Sequence, residues 1–256
     1  MPLPALTGRV LGACPALLLA HGASSDIDDS FGPILDSLAA HHTVPAPDFP
    51  GSGATPRANA PLDPDELADA LVDFAHAAAH ERFALLGFST GSPVAIRVAA
   101  RHPAEATALV LSAGFAKANP RLRLLVRTWR ELAATDRRAL AAYLVLLGWS
   151  AEWLDRRTER DLTDLVDSIA PALPAGADDQ LRLLTEIDVR ADLPALSLPT
   201  LIIDARDDRV VSAAHTEELA TIPAARRITL DGGHAIAAEQ PEAWATAVEQ
   251  FLASAG

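Results

Sequence analysis

Residues 84–93 read Ala84-Leu85-Leu86-Gly87-Phe88-Ser89-Thr90-Gly91-Ser92-Pro93, and their reading decides the fold. An apolar run ends in Gly-x-Ser-x-Gly and a helical pattern opens straight behind it, so Ser89 sits where a strand turns sharply into a helix. A serine on such a bend has a strained backbone and leaves room only for small neighbours, which Gly87 and Gly91 are. Pro93 lacks an N–H, but in the first turn of a helix that donor has no intrahelical partner, so the proline agrees with a helix starting here. Gly-x-Ser-x-Gly alone also turns up in ordinary loops. The strand before it, the helix after it and the partners downstream give it meaning.

Upstream, apolar runs alternate with helical patterns. Residues 5–11 predict a short leading strand and Ala16 to Ala20 a fully buried one. The run from Val10 to Ala20 behind Arg9 resembles a weak secretory signal, but its charged region is thin and Gly12 and Pro15 interrupt it, so a buried strand is expected. Phe31, Ile34, Leu35 and Leu38 recur at helical spacing and predict an amphipathic helix from about Asp29 to His41. Thr43 to Ala46 reads as a strand, and Pro47-Asp48-Phe49-Pro50-Gly51-Ser52-Gly53 as a turn-rich loop. Asp63-Pro64 opens a helix with Leu67, Leu71, Val72 and Phe74 on its inner side. Phe83 to Phe88 forms the strand leading to Ser89, the helix behind it runs to about Arg101, and Ala108 to Ala113 is a further buried strand.

Alternation stops there. From Asn119 to about Ile187 only helical signals occur: Asn119-Pro120 as cap and first residue, Thr135 before Asp136, Gly148 closing a Leu-rich run, Ser150, and a capping box at Thr158-Glu159-Arg160-Asp161. Pro171, Pro174 and Gly176 are expected to break this block before a last helix from Ala177. Strand and helix then resume with Thr200 to Ala205, Ala213 to Thr221, Arg227 to Leu230 and an amphipathic helix from Pro241 to Ala253. This alternation predicts an α/β architecture, a mainly parallel twisted sheet with helices on both faces. Residues 1–116 and 190–256 form the core, and residues 117–189 an all-helical insertion.

A chain of 256 residues suits one large domain. Its formal net charge of −13 argues against nucleic acid or an anionic membrane surface as partner, since both are repelled by the whole protein field. No apolar stretch approaches the length of a membrane span. The single cysteine, Cys14, excludes an internal disulfide and a cysteine-based zinc cluster and fits a reducing compartment. The expectation is a soluble cytoplasmic protein, monomeric or homodimeric, taking a small-molecule substrate.

A serine hydroxyl is a poor nucleophile at neutral pH; a positioned base must take its proton and a third group must orient that base. Two downstream motifs offer candidates: Asp204-Ala205-Arg206-Asp207-Asp208-Arg209-Val210-Val211 just past one strand, and Leu230-Asp231-Gly232-Gly233-His234 just past the next. The order serine, acid, histidine belongs to this type of turn. Together with Leu18-Leu19-Ala20-His21-Gly22 and Ala46 to Gly53, these pieces make the chain resemble the α/β-hydrolase fold family over nearly its whole length. The resemblance implies Ser89 as nucleophile, His234 as general base and later acid, and Asp208 as orienting carboxylate, with Asp207 and Asp204 as competitors. The backbone N–H groups of Thr90 and Ala23 would form the oxyanion hole, Ser24 being the alternative to Ala23. Ser92 stands where many relatives have a second glycine. The His21 loop lacks the glycine run of some lipases, so bulky tertiary esters are not expected.

By the same resemblance the helical insertion is a cap over the site, and neither cofactor nor metal is implied. Ser24, Phe88, Trp129, Tyr143, Trp149 and Trp153, with Leu144 and Leu147, are candidates for an acyl pocket; the alternative for each aromatic is packing of cap against core. Arg121, Arg123, Arg127 and Arg130 read as a solvated helix face in preference to an anion site. His41, His42, His76, His80, His102 and His215 read as surface residues, and His21 as an organiser of its loop. The expected function is a serine hydrolase of a small ester, lactone or thioester acting through an acyl-enzyme, similar to small carboxylesterases and enol-lactone hydrolases. The alternatives are a carbon–carbon bond hydrolase, the same triad in a perhydrolase, haloperoxidase-like, lyase or cyclase step, and a non-enzymatic receptor on the same fold.

Overall fold

The computed structural model describes residues 3–13, 15–223 and 225–255; Cys14, and with it the reading of the cysteine, lies outside them. Five strands, β2 (Ala16–Ala20), β4 (Phe83–Phe88), β5 (Ala106–Ser112), β6 (Thr200–Ala205) and β7 (Arg226–Leu230), pair in parallel in the order β2-β4-β5-β6-β7. The leading strand β1 (Gly8–Leu11) does not join them: it pairs antiparallel with β3 (Val44–Pro47) in a separate ribbon. The ribbon meets the main sheet at Thr43, whose carbonyl accepts the N–H of Leu17 at 2.8 Å.

Side-chain alternation explains why the central strands are apolar throughout. Leu18, Ala20, Leu85, Leu109 and Leu111 enter one hydrophobic cluster, while Leu17, Leu19, Leu86 and Val110 enter another on the opposite face. The first face is covered by α2 (Pro64–Ala77) and α3 (Gly91–Arg101) through Leu67, Leu71, Val94 and Val98. The second is covered by α1 (Ile27–Ala39) and, at the end of the chain, α11 (Pro241–Ala255), through Phe31, Ile34, Trp244 and Val248. Each fully buried side chain of this size is worth about 1.5–3 kcal/mol. Trp244 contributes a polar contact too: its indole N–H donates to the Ser112 hydroxyl at 2.8 Å, and its ring stacks on Phe31.

Between β5 and β6 lie α4 (Pro120–Thr135), α5 (Arg137–Gly148), α6 (Ala151–Asp155), α7 (Glu159–Ala172) and α8 (Ala177–Glu186). Leu122, Leu125, Leu181 and Leu184 tie α4 and α8 into the core beside α2 and α3, whereas Ala141, Val145 and Val166 join α5 and α7 in a small cluster of their own. After β6 come α9 (Ala213–Leu219) and, past β7, the short α10 (Ile236–Glu239). Among the described residues no helix is long and apolar enough to cross a membrane.

Four local expectations need correction. α1 starts at Ile27 and not near Asp29: Asp26 caps it, its carboxylate accepting the N–H of Asp29, and Asp28 and Asp29 fall in its first turn. Asp136 rather than Thr135 caps α5. Pro171 lies within α7 as its penultimate residue, where no further turn follows for it to break, so of the three only Pro174 and Gly176 stand between α7 and α8. Phe74 on α2 is half-buried instead of inward-facing.

Candidate active site

Ser89 follows the last residue of β4 and takes a left-handed backbone, φ +52°, a conformation costing a non-glycine residue roughly 1–2 kcal/mol. The bend is held from both sides: the N–H of Ser89 donates to the carbonyl of Ser112 at 2.9 Å, and Ser89's own carbonyl accepts from Ser92 at 3.0 Å. A Cβ on Gly91 would overlap the carbonyl of Ala20, and one on Gly87 would stand 2.5 Å from the carbonyl of Gly91, so both must be glycine. Ser92 gains an account here. Its buried hydroxyl donates to the carbonyl of Gly87 at 2.9 Å, strapping the two ends of the bend together.

The loops behind β6 and β7 bring the other two groups to this serine. His234 Nε2 lies 3.0 Å from Ser89 Oγ and His234 Nδ1 lies 2.8 Å from Asp208 Oδ2. The Asp208 carboxylate is itself fixed, since Oδ1 accepts the N–H groups of Val210 and Val211, each at 2.8 Å. Of its two competitors, Asp207 is exposed and Asp204 is engaged by Arg227 and Thr229. With Asp208 accepting at Nδ1, the neutral imidazole keeps its proton there and turns a bare Nε2 toward the serine hydroxyl. Glu239, on the short α10, holds the histidine loop to the helical insertion. Its carboxylate accepts the N–H groups of Gly233 at 2.8 Å and of Ser150 at 2.9 Å, and the Ser150 hydroxyl at 2.5 Å.

Opposite the serine lies the loop His21 to Ser25. An imagined Cβ on Gly22 would sit 3.4 Å from Cβ of Ser89, so the backbone of this loop passes against Ser89. Among the described residues neither Ala23 nor Thr90 donates its N–H to a protein acceptor, whereas the N–H of Ser24 is taken by Gln180 Oε1 at 2.8 Å. The Thr90 hydroxyl is buried without a hydrogen-bond partner among the described residues. His21, fully buried, spans the loop: Nδ1 donates to the carbonyl of Gly22 at 2.7 Å and Nε2 accepts the N–H of Phe49 at 2.8 Å. A proton on Nε2 would face that N–H head on. Burial accordingly pushes the imidazole down from 6.5 to about 4, against the opposing pull of the Gly22 carbonyl and Asp26.

This has a consequence for stability. Between pH 6.5 and about 4 the unfolded chain takes up a proton that folded His21 refuses. The fold therefore loses stability as pH falls through that window, by up to about 3 kcal/mol, and His21 adds no pH dependence above it. Urea titrations at pH 7, 6, 5 and 4.5 should show a shallower acid loss for His21→Asn than for the parent. Parallel curves would contradict the buried neutral imidazole.

Ser89 and His234 open into a cavity of ≈ 270 Å³. Of the residues expected to line it, Ser24, Phe88, Trp129, Trp149, Leu144 and Leu147 do so. Tyr143 and Trp153 do not. Tyr143 packs against the core, and Trp153 lies against Trp149 under the guanidinium of Arg157, 3.8 Å from its ring centroid. Ile169, Leu173 and Leu184, which the sequence did not single out, and Pro174, expected only as a helix breaker, complete the apolar wall, and Ser25, Asp26, Asp29 and Ser30 form a polar end. Neither Lys nor Arg is among the lining residues. Arg121 instead donates to the carbonyls of Val210 and Arg209, beside the Asp208 turn, and Arg130 pairs with Asp178.

His215 is buried, not on the surface: at the third position of α9 its ring caps the helix start, Nδ1 lying 3.2 Å from the N–H of Ser212, and burial lowers its pKa.

Fold and site together define a class. A model of the alpha/beta hydrolase fold matches residues 15–241, and the chain belongs to that family. Among its relatives, the pyrrolizixenacetamide deacetylase of Xenorhabdus hominickii is 30% identical over 246 residues, covering 95% of this chain and 92% of that protein. The pimeloyl-[acyl-carrier protein] methyl ester esterase of Xanthomonas campestris pv. campestris is 31% identical over 262 residues, covering 96% and 98%. The enol-lactonase of Burkholderia xenovorans superposes with a TM-score of 0.84 over 98% of this chain and 100% of that one; at 22% identity the likeness is one of fold.

Proposed function

We propose that the protein is a serine hydrolase that cleaves a small ester, lactone or thioester through an acyl-enzyme. The observation that carries this reading is the hydrogen-bonded chain from Ser89 through His234 to Asp208. His234 Nε2 takes the proton of the Ser89 hydroxyl as its oxygen attacks the substrate carbonyl, and Asp208 stabilises the imidazolium that forms. The negative charge that develops on the carbonyl oxygen is met by the free N–H groups of Ala23 and Thr90. When the tetrahedral adduct collapses, Nε2–H hands the proton to the leaving alcohol, thiol or enol, and the acyl group stays on Ser89. A water deprotonated by the same Nε2 then attacks the acyl carbon, and the proton returns to Ser89 as the acid departs.

Residues 117–189 act as a cap over residues 1–116 and 190–256, supplying the apolar wall of the pocket. That wall suits an uncharged acyl portion, and the Asp26 and Asp29 carboxylates at the polar end disfavour a second carboxylate in the substrate. A deacetylase and a methyl ester esterase among the relatives agree with acyl cleavage. The test is a panel of p-nitrophenyl esters. Short neutral acyl chains should be turned over, with kcat/KM about fivefold or more above chains ending in a carboxylate, as one repulsive charge contact of ~1 kcal/mol implies. No turnover of any acyl donor would contradict the proposal, and a preference for acidic chains would contradict the pocket assignment.

A further inference from the structure

Gln180 is a fully buried polar side chain on α8 that the chemistry above does not use. Its three side-chain hydrogen bonds go to the loops that hold Ser24 and Pro50 to Ser52. Oε1 accepts the N–H of Ser24 at 2.8 Å; Nε2 donates to the Ser52 hydroxyl at 2.8 Å and to the carbonyl of Pro50 at 3.3 Å. Ser52 passes the restraint on, its hydroxyl donating to the carbonyl of Ser25 at 2.6 Å. The amide has one workable orientation, because turning it over would set an NH₂ against the N–H of Ser24 and an oxygen against the carbonyl of Pro50.

The residue it grips is unusual. Ser24 has a left-handed backbone, φ +57°, which a serine holds only when its surroundings impose it. It directly follows Ala23, whose N–H has no protein acceptor among the described residues. The helix that carries Gln180 is also seated firmly. The N–H of Gly176, just ahead of α8, donates to the carbonyl of Gly51 at 3.0 Å, and a Cβ on either glycine would overlap the other's backbone.

We propose that Gln180 is the positioning residue of the oxyanion hole. It holds Ser24 in its left-handed turn, which aims the preceding N–H of Ala23 at the reacting carbonyl, and by occupying the N–H of Ser24 it leaves Ala23 as the loop's donor. The inference rests on the acyl-transfer reading of Ser89. Gln180 touches no substrate and acts only through the backbone, so its removal weakens the transition state and leaves ground-state binding alone.

The experiment compares the parent enzyme with Gln180→Met, which keeps the volume and loses every hydrogen bond, and with Gln180→Glu. Both are assayed for kcat and KM on one p-nitrophenyl ester and for inhibition by an arylboronic acid, which adds to the serine as a tetrahedral anion. For Gln180→Met we expect kcat to fall about 10- to 100-fold with KM changed less than about threefold, and boronate affinity to fall by the same factor as kcat. In Gln180→Glu the protonated acid still accepts from Ser24 and supplies one of the amide's two donated bonds, whereas the carboxylate cannot donate. Its activity relative to the parent should therefore rise as pH is lowered from 8 to 6, so this variant supplies the test if Gln180→Met does not fold. A rise in KM alone, a fall in kcat with boronate affinity intact, or a pH-independent ratio for Gln180→Glu would overturn the assignment. Parent enzyme that binds no boronate and modifies no serine would instead remove the reading of Ser89 on which it rests.

Discussion

Ser89→Ala lowers kcat on an activated ester by about 10⁵- to 10⁶-fold and leaves KM within a few fold, as loss of the nucleophile does where base and acid then have nothing to act on. On the proposed mechanism the residual rate is that of the Ala23 and Thr90 amides and of binding alone. The substitution is a clean probe because, among the described residues, the hydroxyl's one side-chain hydrogen bond is with His234 Nε2 at 3.0 Å. The strained backbone of the bend is held by main-chain bonds to Ser112 and Ser92 that alanine retains. Stability should therefore change by less than about 1 kcal/mol, and thermal melts alongside the kinetics check that the loss is chemical. A variant retaining a tenth of the parent activity would move the chemistry to another residue.

The second large effect is at Asp208. Its Oδ1 accepts two backbone N–H groups while Oδ2 faces His234 Nδ1. In Asp208→Asn the two N–H groups hold the amide oxygen at the Oδ1 position, which turns the NH₂ toward His234. Nδ1 must then accept, the ring proton moves to Nε2, and the imidazole can no longer take a proton from Ser89. A wrong tautomer of this kind costs about 10⁴ in kcat. Asp207→Asn, one residue away and exposed, should change kcat by less than about threefold. Comparable losses in the two variants, or a larger loss at Asp207, would overturn the assignment of the acid.

What the sequence conveyed, and what it withheld, follows from the range of the interactions. The bend at Ser89 is local: glycines at fixed offsets, an apolar strand before and a proline just inside a helix after leave little else for residues 84–93 to do. The apolar strands likewise announce a sheet covered on both faces, and capping residues such as Asn119 and Thr158 mark helix starts within one residue. Contacts across the chain carry no such mark. Gln180 meets Ser24 across 156 residues and Glu239 meets Ser150 across 89, so nothing local distinguishes them from any other glutamine or glutamate on a helix. His215 is buried where its sequence suggests surface, because helical spacing says which residues share a face but not which face a lone histidine joins. The pocket wall shows the same limit. Aromatic content drew attention to Tyr143 and Trp153, which pack elsewhere, and away from Ile169 and Leu173, which line the cavity.

The most direct test is to mix the enzyme with excess p-nitrophenyl ester, quench within the first turnover and locate the acyl group by peptide mass. A burst of p-nitrophenol equal to the enzyme present, with one acyl group on the peptide containing Ser89 and none in Ser89→Ala, is the expected result. Steady turnover with no acylated peptide, or an acyl group carried by any other residue, would contradict the account.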